Sequence, residues 1–265
     1  MGDIMSRKII DRTGETRINN FGSETVIVKY RTNKDIDVYF PEYDWTARSV
    51  EYGHFKKGNV KCPYEKRYYG IGYLSEGEYK ASENGKHTKC YKTWHHMLER
   101  CYDEKYHKKY PTYKDCEVHN ELLCFQNFAE WFYDNYYEVE GQRMHLDKDI
   151  LNKGNKIYSS ETCVFVPERI NTLFIKSDKV RGNLPIGVNY DKHARKFVVK
   201  CNIYDYEENK RKRIYLGLYE TPEEAFKVYK QFKEKHIKKI ADYYKDQIPD
   251  KLYDAMYNYK VDIND

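Results

Sequence analysis

Six side chains in the C-terminal third have the types and spacing to read a nucleic acid. Lys196, Lys200 and Asn202 fall, with Val198, at every second position, so a strand would put them on one face and Phe197, Val199 and Cys201 on the other. Arg211, Arg213 and Tyr215 repeat the alternation a few residues on. A twisted sheet fits the major groove when its outer face carries long donors and flat rings. Arg can bridge guanine bidentately, Asn can bridge adenine, and Lys mostly meets phosphate. The alternative is an ordinary solvated sheet face with no ligand.

A second constellation lies upstream, at His145, Asp147, Lys148 and Asp149. His145 and Asp147 are two apart, so on a strand they share a face. A His so placed can act as a general base, although a strand His is more often packed or paired. A lysine at its ordinary pKa of about 10.4 is protonated at neutral pH, a poor base but a good phosphate contact, which is the role expected of Lys148. Asp147 and Asp149 can instead pair with nearby lysines.

Other groupings carry less. Cys116-x-x-His119, with Cys124, Cys101 and Cys90, suggests a zinc knuckle, but no paired CxxC is present. Isolated cysteines usually behave as small buried hydrophobes. His95 and His96 are adjacent on an expected helix, so they point apart. Gly70-x-Gly72 lacks the third glycine and the helix of a phosphate-binding loop.

The elements that must position these groups follow from periodicity. Strands are expected at Gly187–Tyr190, Lys196–Tyr204 and Arg213–Tyr219. Thr221-Pro222-Glu223-Glu224 then starts a helix, with Thr as cap, Pro in the first turn and Glu three residues after the cap. Its apolar face runs from Ala225 to Ile240. A short helix is expected at Asp250–Tyr257.

The central segment predicts helices at Tyr91–Tyr102 and Phe125–Tyr137, strands at His145–Ile150 and Thr162–Val166, and a helix from Pro167 through Phe174. Near the N-terminus, Thr25–Tyr30 and Ile36–Phe40 read as strands, with one or two more in Val50–Val60. So many short strands in so few residues predict a small, Tudor-like barrel.

Composition limits the function classes. The 265 residues are 34% charged and 16% aromatic, with 29 Tyr, which argues against disorder. Mean hydropathy is −0.96 and no run of about 18 apolar residues occurs, so no transmembrane helix is expected. Met1–Arg12 has no apolar signal core, and the seven cysteines are odd in number and scattered, as in a reduced cytoplasmic protein. Net charge is +5. Between Tyr190 and Lys245 fifteen Lys and Arg face nine Asp and Glu, an excess of 15 − 9 = +6 that exceeds that of the whole chain. Basic charge interleaved with aromatics is the footprint of a nucleic-acid surface.

Two resemblances sharpen this. Gly187-Val188, Lys196-Phe197-Val198-Val199, Arg213–Tyr219 and Thr221–Ala225 resemble the APETALA, or ethylene-response-factor, DNA-binding domain. That resemblance implies a three-stranded antiparallel sheet backed by one helix, with the sheet in the major groove. It places DNA contacts at Asn189, Lys200, Asn202, Arg213 and Tyr215. Lys192, Arg195, Lys196 and Arg211 extend the expected DNA-binding set. Asn stands where the family has Arg at Asn189 and Asn202, and Lys200 where an acid is usual, so base preference does not carry over.

Trp94-x-x-Met97, Arg100-Cys101-Tyr102, Phe125-x-x-Phe128-x-x-Trp131, His145–Ile150, Gly154–Ser159 and Glu161–Val166 through Asn171 resemble degenerate HNH nucleases of phage genes. This resemblance implies a ββα-metal site. Asp147 would be the metal-binding acid, Asn171 the second ligand, and Mg²⁺ or another divalent ion the cofactor. Lys148 replaces the general-base His, and His145 is the candidate substitute.

The reading is therefore an α+β, multidomain chain. It comprises residues 1–66 as the barrel, 67–176 as the HNH-like domain, 177–185 as a linker, and 186–265 as the ERF-like domain with a helical tail. The expected function is double-stranded DNA binding in the cytoplasm of a bacterial host, by a phage or mobile-element protein. A metal-dependent nicking endonuclease, with catalytic residues His145, Asp147 and Lys148, is the alternative. A factor that binds a host protein is the third reading.

Overall fold

Four strands near the N-terminus pair in sequence order, Thr16–Ile18, Glu24–Thr32, Asp35–Phe40 and Trp45–Val50, each antiparallel to the next. β-Branched and aromatic residues populate them, as suits a half-buried pleated surface. The computed structural model describes residues 10–175, 183–206, 208, 210–263 and 265. Residues 177–182 of the expected linker, including Arg181 and Gly182 of its turn, lie outside the described residues. The chain is mixed α and β and divides into two compact units, Met1–Tyr133 and Asp134–Asp265.

The expected barrel is not formed. Thr16–Ile18 pairs only with the second strand and Trp45–Val50 only with the third, so among the described residues the sheet stays open. Closure requires the edge strands to meet with a stagger, and a three-residue edge exposed along its length gives no such ladder. Instead Phe55, on a short helix at Tyr52–Lys56, fills the core beside Ile27, Ile36, Val38 and Phe40. That helix also replaces the strands expected in Val50–Val60. The spacing of Tyr52 and Phe55 is three, which fits one helical turn better than a pleat.

The rest of the first unit is built on the helix Lys89–Tyr102. Thr88 caps it, accepting a hydrogen bond from Tyr91 N at 3.1 Å. Trp94, Met97 and Leu98 are fully buried, and the Trp94 indole N–H donates to Leu122 O at 2.9 Å. Phe125 and Phe128, from the helix Phe125–Asn135, join this core. Of the residues that carry the nuclease resemblance, Trp94, Met97, Phe125 and Phe128 are core positions.

In the second unit Met144–Asp147 pairs antiparallel with Val164–Pro167, placing His145 opposite Val166 and Asp147 opposite Val164. The helix Glu168–Asn171 follows, with Pro167 as the residue before its first turn. A three-stranded antiparallel sheet comes next, Val188–Asp191, Lys196–Asp205 and Lys210–Tyr219 in sequence order. It is backed by a long helix, Pro222–Tyr244. Thr221 Oγ1 accepts from Glu224 N at 3.2 Å, as the capping sequence requires.

Two cores divide that long helix. Ala225, Phe226 and Tyr229 pack with Val188, Val199 and Cys201 of the sheet. Ile237, Ile240, Ala241 and Tyr244 pack with Val164, Val166 and Ile170 of the strand–strand–helix segment, and with Leu252 and Met256 of the helix Asp250–Tyr257. The hairpin and the C-terminal sheet therefore belong to one packed body.

Candidate nucleic-acid interface

The cross-strand register assembles the outer face. Lys200 stands opposite Tyr215, Asn202 opposite Arg213, and Tyr204 opposite Arg211. Directly opposed residues of an antiparallel pair project to the same side. The other side carries Val199, Cys201 and Ile203 towards the long helix. A register shift between Val199 and Lys200 marks a bulge, which increases local twist. Asn189 lies opposite Val198 on the first strand. Val198 is buried between Asn189 and the exposed Leu218.

Hydrogen-bonding capacity on this face is unspent. Among the described residues, the side chains of Lys200, Asn202, Arg211, Arg213 and Tyr215 have no hydrogen-bond or ion-pair partner, and Tyr215 is 58% exposed. The neighbouring lysines differ. Lys212 pairs with Asp205 at 2.6 Å and also with Glu208, and Lys210 pairs with Glu208. Lys196 pairs with Glu220 at 2.6 Å. Lys192 and Arg195 sit in the exposed turn between the first two strands. That turn is held by Asp191, whose carboxylate accepts from the N–H groups of His193 and Ala194 and is drawn below the usual range by them. Arg195 has a left-handed φ of 54° there.

Sequence reasoning missed two neighbours. The Arg169 guanidinium lies 4.3 Å from the Tyr204 ring centroid and 5.8 Å from that of Tyr206, a cation–π arrangement. Tyr204 was legible as the next position after Asn202 in the alternation. Arg169 was not, because the contact joins distant stretches of chain.

The hairpin presents a different picture. Asp147 Oδ1 accepts from Ile150 N at 2.8 Å and Asp149 N at 2.9 Å. Burial, followed by the neighbouring Asp149 carboxylate, pushes Asp147 up to about 6. Lys148 is turned inward: it is 7% exposed, and its ammonium donates to Asn155 O at 3.0 Å and lies 3.4 Å from Asp149 Oδ2. Asn155 in turn donates to Lys148 O and Ile157 O, so these residues tie the loop together. Asn171 ends its short helix half-buried, with no hydrogen bond to Asp147.

No family model, curated protein or solved structure matches this chain.

Chemistry must therefore be read from the residues alone. Among the described residues no group of three or more His, Cys, Asp and Glu side chains is gathered to hold a metal. Asp147 already spends one oxygen on two backbone N–H groups, and the adjoining cation is bonded to a carbonyl. All seven cysteines are buried and none is in a disulfide, while His119 is exposed beside Glu121. No helix among the described residues is long and apolar enough to cross a membrane. The C-terminal sheet, by contrast, offers Arg forks, an amide and exposed rings on one twisted surface, a combination suited to phosphates and base edges.

Proposed function

We propose that this protein binds double-stranded DNA, with the outer face of the C-terminal sheet in the major groove. The observation that carries the reading is the cluster of Lys200, Asn202, Arg211, Arg213 and Tyr215, aligned by register and lacking internal partners. Donors with no internal partner on an ordered surface give up only water to meet a ligand, whereas paired ones must also be released from their partners. The resemblance to the APETALA-type domain supports the same reading. So does the shared order of strand, strand, strand and helix. Asn202 and Arg213 are the base readers in this proposal, Lys200 and Arg211 the phosphate contacts, and Tyr215 a ring against the backbone sugars.

The test is a binding titration on random and selected duplexes at several salt concentrations. Lys200→Ala with Arg213→Ala should weaken binding and reduce the slope of log affinity against log salt by about 1, the share of Lys200. An unchanged affinity and slope would refute the sheet-in-groove arrangement.

A second reading, metal-dependent nicking, has one observation in its favour. Asp147 and Asp149 oppose each other electrostatically, and a cation between them would relieve this. Its test is nicking of supercoiled DNA with Mg²⁺ or EDTA. No Mg²⁺-dependent product removes this reading without touching the first.

A further inference from the structure

The first unit holds an open pocket of about 480 Å³, lined by Phe21, Ser23, Tyr43, Glu65, Lys66 and Arg67, and also by Gly22 and Glu42. That volume is in the range of small-molecule sites. Its polar groups divide sharply by whether they are already used. Glu65 is 2% exposed and accepts from Asn19 Nδ2 and from Cys62 N at 3.0 Å. Asn19 is itself buried, and its carbonyl oxygen accepts from Phe21 N and Ser23 N at 3.0 and 2.9 Å, which fixes the wall of the pocket. Tyr43 engages both Ser23 and Glu42.

Arg67 is the exception. Its side chain is 14% exposed, and Nε is buried with no hydrogen-bond acceptor. The nearest carboxylate oxygen, on Glu65, lies 3.7 Å from Nε, close enough for charge attraction but too far for a hydrogen bond. Among the described residues the guanidinium makes no hydrogen bond at all. Lys66, next in the lining, is exposed and has no hydrogen-bond or ion-pair partner among the described residues. The donors left without an acceptor here are cationic, on Arg67 and Lys66, while Glu42 and Glu65 bring two carboxylates to the same lining. A recessed guanidinium with free N–H groups calls for an oxyanion, and its fork suits one with two or more acceptor oxygens. Two donor groups side by side, Lys66 and a guanidinium that its Glu65 neighbour leaves without a hydrogen bond, suit the several terminal oxygens of a phosphate monoester better than the two of a carboxylate.

The remaining wall is aromatic. The Phe21 ring is 44% exposed, with the Arg67 guanidinium 5.3 Å and the Lys61 ammonium 5.4 Å from its centroid. An exposed ring beside an oxyanion site offers a stacking surface to a planar group. We infer that this pocket binds a nucleotide, with its phosphate on Arg67 and Lys66 and its base against Phe21. The inference is independent of the C-terminal sheet, since every residue it uses belongs to the first unit.

The experiment is calorimetric titration of the full chain with deoxyadenosine monophosphate, inorganic phosphate and deoxyadenosine as separate probes. The nucleotide should bind saturably at or below about 1 mM, and each half-ligand about tenfold or more weaker. Lys66→Ala and Phe21→Ala change exposed positions and should each weaken nucleotide binding several-fold. Only Lys66→Ala should weaken inorganic phosphate. Arg67→Lys should lose about tenfold, because an ammonium cannot replace the fork. Absence of nucleotide binding, equal affinity for inorganic phosphate, or affinity unchanged in Lys66→Ala and Phe21→Ala would each overturn the proposal.

Discussion

Asn202 and Arg213 stand directly opposite each other across the middle and last strands of the C-terminal sheet, both exposed and both without an internal partner. An amide and a guanidinium so placed can address adjoining base pairs from one surface. In the proposed complex, Arg213→Ala should cost about 1–3 kcal/mol on a selected site and relax preference at one position. Lys200→Ala should weaken all sequences alike and lower the salt slope by about 1. Selection of binding sites with each variant separates the two outcomes.

Gly187 should be intolerant of any side chain. Its φ is +77°, and a Cβ there would come 2.0 Å from the Tyr229 ring on the long helix. Gly187→Ala adds backbone strain to a clash with a buried ring, together about 2–4 kcal/mol. Gly141 is the control: it has φ +67° with nothing within 4 Å, so its alanine variant should lose only about 1 kcal/mol. Urea denaturation of both variants gives the comparison.

Lys233 is buried at 9% exposure under the sheet, and among the described residues nothing accepts a hydrogen bond from its ammonium. Burial holds its pKa below the ordinary lysine range. A lysine lowered on folding destabilises the fold while it is charged, and the penalty fades as pH rises towards its unfolded pKa. Lys233→Met keeps the stem and removes the charge, so it should stabilise the protein by about 1 kcal/mol or more at pH 7. The gain should shrink at alkaline pH, as thermal melts at pH 7 and about pH 10 would reveal.

His236 and Asp147 should pull stability in opposite directions with pH. Burial, aided by Lys233 and Lys239, brings His236 down to about 4. Its unfolded form protonates more readily, so stability is lost as pH falls from about 6.5 towards about 4. Asp147 is raised to about 6, so the folded state favours its neutral form. Its contribution is present at low pH and is lost as pH rises through about 6.

Asp147→Asn retains an acceptor for Asp149 N and Ile150 N while removing the buried charge. It should stabilise the protein by about 1–2 kcal/mol at pH 7 and have little effect at about pH 4. A destabilised variant at pH 7 would show that the ionised carboxylate is held by a favourable partner in the fold. Denaturant titrations at the two pH values decide it.

The legible parts of this molecule are those governed by local rules. The alternation from Lys196 to Asn202 placed its own faces correctly, and Thr221-Pro222-Glu223-Glu224 marked the helix start to the residue. The expected barrel failed because closure depends on whether distant edges meet, which no local pattern encodes. Lys148 looked like a surface phosphate contact because its type is usually exposed, yet a turn carbonyl at Asn155 draws it inward. Arg67, likewise, gave no sign in sequence. Its significance lies in what folding leaves unpaired around it.

The long helix Pro222–Tyr244 serves two cores at once, gripping the sheet with its first turns and the hairpin with its last. The relative placement of these two parts is therefore set through this shared helix, which acts as a splint. A duplex lying on the sheet would meet the hairpin at a fixed offset, and the footprint would scale with this helix alone.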